Sequence, residues 1–244
     1  MLTRAFVLPW EQRGQLYRAV ILPLALLIFL SLAELLFLFP ASRMISWVWE
    51  ISYLLCVSWL AVRIHRTILI APHETYEVVH AAYWRRIVLY AIAIAALWML
   101  FVCVMFAVRS IGMALQPAEP YADLQGAMQK IRVAVASIFV AATLVTLVSG
   151  RVCLLLPAIA IDADAATALR AARGNTLRLA VVFSVLPGLL AVLNHALFDE
   201  SSTVAGFVFL SVFGAIFLVI EVTALSLSWR ELTSPAPPPR DPRV

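Results

Sequence analysis

Apolar residues in this chain arrive in long, almost uninterrupted runs instead of alternating with polar ones. Six such runs cover residues 19–39, 45–62, 87–108, 133–155, 177–198 and 204–228. Crossing a hydrocarbon layer of about 30 Å takes about 20 apolar residues at a helical rise of about 1.5 Å each. All six meet that length or come near it; the shortest, 45–62, has 18 residues. Inside the layer no water is available to backbone N–H and C=O groups, so each crossing segment must satisfy them itself by coiling into a helix. The pattern predicts an all-α integral membrane protein, a bundle of six transmembrane helices forming a single domain over residues 1–233.

The polar segments between the runs carry their own helix signals. Pro72 opens the stretch 71–84, where its missing N–H costs nothing in a first turn. In the next loop on the same side, Asp162 or Asp164 can cap a short helix that runs to Arg173 and stops at Gly174-Asn175. On the opposite side, Pro120 opens a stretch with Tyr121, Leu124, Met128 and Ile131 at helical spacing. Short interfacial helices are therefore expected in the cytoplasmic loops and in one external loop. Residues 234–244 hold five of the thirteen prolines and almost no apolar bulk, which reads as a disordered cytoplasmic tail.

Composition agrees with this reading. The 244 residues are 64% hydrophobic and 13% charged, against about 45–50% and about 25% in soluble globular domains. The first run is too long for the core of a cleaved leader, so it is expected to remain as a helix. Cys56, Cys103 and Cys153 lie inside runs, where a thiol serves as a small apolar residue. The net charge of +4 concerns topology and not nucleic acid, because the arginines are segregated. Arg4, Arg13, Arg18, Arg63, Arg66, Arg85, Arg86, Arg151, Arg170, Arg173, Arg178, Arg230, Arg240 and Arg243 fall on one side; only Arg43, Arg109, Lys130 and Arg132 fall on the other. Short cytoplasmic loops retain Lys and Arg, which places both termini in the cytoplasm. Tyr17, Trp59, Tyr83, Trp84, Tyr90 and Trp229 then sit near the inner boundary and Trp47 and Trp49 near the outer one, as interfacial aromatics do. Trp98, in mid-span, is expected to pack between helices.

Ionisable residues within hydrocarbon cost about 2.5–3.5 kcal/mol each on insertion scales, so they need a partner or a task. Glu34 and Glu50 lie level, about 7.5 Å inside the outer ends of their helices. They form either a shared proton or cation site or carboxylates neutralised by nearby Arg43 and Arg109, the simpler reading. Glu221 is deeper, and an ion pair with Arg151 between the fourth and sixth helices is the preferred structural expectation. In the second cytoplasmic loop, His73, Glu77 and His80 fall at i, i+4 and i+7, and Glu77 with His80 matches the Glu-x-x-His unit of di-metal sites. His73 and His80 stand about 10.5 Å apart along a helix axis, so a solvated polar stripe is the better reading of these weak metal candidates. No nucleophile and base pair, phosphate-binding glycine loop or cofactor motif appears, so no catalytic residue and no cofactor is expected.

The stretch 151–178, RVCLLLPAIAIDADAATALRAARGNTLR, together with Ser228-Trp-Arg-Glu-Leu232, resembles the membrane domain found beside bacterial glycerophosphodiester phosphodiesterases and its uncharacterised relatives. The shared elements are the arginine, the Leu-Pro-Ala at a helix end, the short surface helix closing on Gly-Asn, and the final aromatic-Arg-x-Leu. The resemblance covers about the last 95 residues. It implies a helical membrane module whose enzymatic activity, in that family, resides in a separate soluble domain. The expectation from the whole sequence is a non-enzymatic protein of the bacterial inner membrane. It would act as scaffold, anchor or regulatory module for a membrane-protein partner or a second copy of itself; the alternative is a small transporter or channel using the intramembrane carboxylates.

Overall fold

The computed structural model describes residues 13–37, 43–70, 80–114, 145, 147–181 and 204–234. Among these, every regular element is a helix: α1 (Arg13–Phe37), α2 (Arg43–Leu69), α3 (His80–Ala114), α4 (Leu155–Ala160), α5 (Ala165–Ala172), α6 (Thr176–Ala180) and α7 (Val204–Thr233). Four helices are long and apolar enough to cross a membrane, through the segments Leu16–Ala33, Trp47–Leu69, Ala82–Val108 and Ser211–Thr233. They correspond to the first, second, third and sixth runs. The fourth run is represented by its end, in the shorter apolar stretch Leu147–Ala160, and the fifth by α6; the rest of both lies outside the described residues.

Two boundaries differ from the sequence reading for the same reason. The second run ends at Val62 because Arg63, His65 and Arg66 look like loop residues, yet α2 continues to Leu69. It continues because neighbouring chain segments bury Ile64, His65, Arg66 and Ile68 as completely as the apolar residues before them, and tertiary packing outweighs local polarity. Likewise His80 to Trp84, assigned to a surface helix, form the first turns of α3. Residues 71–79 and the external segment around Tyr121 lie outside the described residues.

Packing is concentrated at one end. α2 is central, touching α1, α3, α4 and α7, and toward its C-terminus it is buried nearly all round through Leu60, Ala61, Val62, Ile64 and His65. That is the signature of a helix enclosed on every side. α1 contributes a single stripe, Leu16, Val20, Pro23 and Leu27, against α2, where the Cys56 thiol donates to the Pro23 carbonyl at 3.3 Å. α3 is buried only near its start, at Ile87, Tyr90 and Ala91, whereas α7 is buried toward its finish, from Val222 through Trp229. The core therefore sits where α2 and α7 end and α3 begins, the end that carries the clustered arginines. Trp98 is the correction here. It is 63% exposed, although Ile94 and Leu97 beside it pack against the core, so it does not pack between the described helices.

The segment from Leu147 to Ala180 closes this end. At Gly150 a Cβ would stand 2.5 Å from the Thr176 carbonyl oxygen and 3.0 Å from the Ala180 nitrogen; only glycine lets this helical turn approach α6 so closely. α4 ends in a Schellman closure: Ala163 N–H donates to the Ala158 carbonyl at 2.9 Å and Asp162 N–H to the Ile159 carbonyl at 3.5 Å. Asp162 takes the left-handed position, φ +56°, which is usually glycine. Of the two aspartates expected to cap the surface helix, Asp164 does so, accepting from Ala166 N–H at 3.2 Å. Gly174, at φ +81°, turns the chain after α5 as the sequence suggests.

Candidate functional site

Most of the buried polar groups of the described residues gather toward the arginine-bearing end, in two layers. The deeper layer centres on His65, fully buried on α2. Its Nδ1 lies 2.7 Å from Ser226 Oγ on α7 and its Nε2 lies 2.9 Å from the Tyr90 hydroxyl on α3. Ser226 has a single hydroxyl proton, and it points at the Val222 carbonyl at 2.8 Å. Ser226 therefore accepts from His65 Nδ1–H, which leaves Nε2 as the acceptor of the Tyr90 O–H. This assignment of protons satisfies all three side chains and ties three membrane-crossing helices together through one imidazole.

One turn closer to the surface, the layer of charge begins. On α3, Arg86 grips Asp162 Oδ2 through Nε at 2.6 Å and through Nη2; Arg85 approaches Asp162 Oδ1 at 3.8 Å. The left-handed turn after α4 is what aims the Asp162 carboxylate back at α3. Its hydrogen bond with Arg86, and the charges of Arg86, Arg85 and Arg66, hold its carboxyl below the ordinary value. Arg66, 7% exposed, donates from Nη1 to the Ala160 carbonyl at 3.4 Å, one of the orphan carbonyls at the end of α4. Arg63 lies over the Trp59 ring, 5.7 Å from its centroid, a cation–π stack one turn apart on α2.

The residues singled out in the sequence are placed as follows. Glu50 is exposed on α2. Glu34 belongs to α1, but its side chain lies outside what is described, so the level pairing of the two is not seen. Glu221 is half-buried on α7, near the middle of its membrane-crossing segment, within electrostatic reach of Tyr90 and Cys153. Arg151 is exposed, and no ion pair joins it to Glu221. The ion pairs of the described residues are those of Asp162. His73 and Glu77 lie outside the described residues, as does the His80 side chain, and no group of three or more His, Cys, Asp or Glu side chains able to hold a metal occurs among the described residues.

His65, Arg66 and Ser226 were missed by the sequence reading. A usable signal existed, since a histidine three residues beyond an apolar run, followed by a further apolar stretch, fits a helix that continues. What this end can do chemically is hold three helices at fixed separation and present guanidinium groups at the membrane boundary. Compared with known protein families, curated proteins and solved structures, the chain matches none of them.

Proposed function

We propose that this chain is a non-enzymatic, multi-pass protein of a bacterial inner membrane that anchors or regulates a partner. In this reading six helices cross the bilayer, with both termini and the arginine clusters on the cytoplasmic side. The observation that carries it is the use made of the buried polar groups. His65, Tyr90 and Ser226 are spent on each other, and Asp162 takes one edge of the Arg86 guanidinium, in ties between chain segments, which suits a rigid platform. The resemblance of residues 151–178 to the membrane domain found beside glycerophosphodiester phosphodiesterases supports a module working next to another protein or a second copy of itself.

A second reading has one specific observation in its favour. Glu221 stands deep in a membrane-crossing segment with no ion-pair partner among the described residues, and an unpaired carboxylate at such depth is commonly part of a proton or cation path. Proteoliposome flux of protons and common cations separates the two. The platform reading expects background flux from the wild type and from Glu34→Gln, Glu50→Gln and Glu221→Gln alike, and a stoichiometric partner or second copy captured by cross-linking in native membranes. A wild-type flux abolished by one of those substitutions would replace the first reading with the second.

A further inference from the structure

We propose that Arg66, Arg85 and Arg86 form a binding site for a phosphate ester at the arginine-bearing end of the bundle, with Arg63 at its rim. The inference goes beyond the platform reading and does not depend on it.

Charge balance is the first observation. Arg66, Arg85 and Arg86 all act on a single carboxylate, Asp162, and Arg63, Arg66 and Arg86 all act on the uncharged Tyr83 hydroxyl between them. Among the described residues cations outnumber anions here, and two of the cations are sequestered: Arg66 is 7% exposed and the Arg86 side chain 12%. Sequestered charge without an opposite charge is costly at a low-dielectric boundary.

Unspent donors are the second. Arg86 commits one edge of its guanidinium to Asp162, while its Nη1 is buried with no acceptor. Arg66 makes one long bond, to a neutral carbonyl. Guanidinium groups bind tetrahedral oxyanions through paired N–H donors, and a phosphate offers several acceptor oxygens together with the missing negative charge.

Position is the third. Arg66 lies one turn before the end of the segment Trp47–Leu69, and Arg86 one turn after the start of Ala82–Val108. That is the depth of lipid headgroups, where phosphate is the abundant anion. Arg85, 68% exposed, and Asp162, 41% exposed, mark the open side. A phosphate arriving there meets Arg85 first and shares Arg86 with Asp162.

The test uses the full chain purified in a neutral detergent, with binding counted by native mass spectrometry and followed by thermal shift. Phosphatidylglycerol is expected to bind at one site and raise the unfolding temperature. Phosphatidylcholine, whose ammonium offsets the phosphate charge, is expected to bind more weakly. Arg66→Gln and Arg86→Lys should each weaken phosphatidylglycerol by about tenfold, the loss of one charge-assisted bond. Arg230→Gln, exposed at the same end but outside the cluster, should leave it unchanged. If the buried variants do not fold, the exposed Arg85→Gln carries the comparison and should also weaken binding. Inorganic phosphate binding as tightly as phosphatidylglycerol, with the same arginine dependence, supports the site and assigns it to a soluble phosphate in place of a lipid. Equal affinity for phosphatidylcholine and phosphatidylglycerol overturns the proposal. So does affinity insensitive to the cluster variants, or Arg230→Gln weakening binding as much as they do.

Discussion

His65 has the strictest environment of any polar residue described, because each of its ring nitrogens has one partner on a different helix. In a bilayer, hydrophobic burial does not drive helices together, so association rests on packing and on bonds of this kind. Tyr90→Phe leaves Nε2 as an unpaired acceptor and should destabilise the fold by about 1 kcal/mol. His65→Ala removes both ties and opens a cavity, and should cost about 2–4 kcal/mol. Reversible unfolding in mixed micelles, followed by tryptophan fluorescence, measures both; equal losses would mean that the imidazole does not join the three helices. Asp162 gives a second residue-scale expectation, in pH. Its carboxyl is held below the ordinary value of 3.8 by Arg86. The stability it contributes is thus fully present above that value and is lost as pH falls through the lower, folded one. Asp162→Asn, which tolerates the left-handed backbone, should be less stable than wild type at neutral pH, with the difference closing in acid. A difference that persists unchanged in acid would assign the effect to the backbone and not to the charge.

At the scale of elements, what the sequence discloses depends on how local the signal is. Asp164 and Gly174 act within a few residues of themselves, through a side-chain cap and a left-handed turn, so the short helix between them is readable from spacing alone. His65 meets partners 25 and 161 residues away, and nothing in its neighbourhood encodes them. The early end assigned to α2 has the same origin: Arg63, His65 and Arg66 look like loop residues until the elements that bury them are in place. The apolar runs that became α1, α3 and α7 were legible because length against bilayer thickness is itself a local criterion. Gly150 belongs with the residues that were not read. A glycine near a helix end has many ordinary explanations, and the contact that requires it involves α6, nearly thirty residues on. Gly150→Ala should force this turn away from α6 and cost about 1–3 kcal/mol. The same unfolding assay checks it, and a neutral result would show that the contact yields easily.

At the scale of the whole molecule, the most completely buried side chains of the described residues lie at one end, where α2 and α7 finish and α3 begins. Single-tryptophan variants report this directly. Trp98, 63% exposed, should be strongly quenched by lipids brominated on their acyl chains, whereas Trp229, 5% exposed, should be protected; comparable quenching of both would contradict the arrangement. The apolar segment of α3, Ala82–Val108, has 27 residues, about 40 Å of helix facing a hydrocarbon layer of about 30 Å. Those of α1 and α7, with 18 and 23 residues, come to about 27 and 35 Å. Among its described residues, α3 is fixed by Ile87, Tyr90 and Ala91, by the Arg86–Asp162 pair and by Ile94 and Leu97 packed against the core, so the part beyond Leu97 can lean until its greasy length fits. Bilayers with longer acyl chains should let that rod stand more upright, and polarised infrared spectra should record the change.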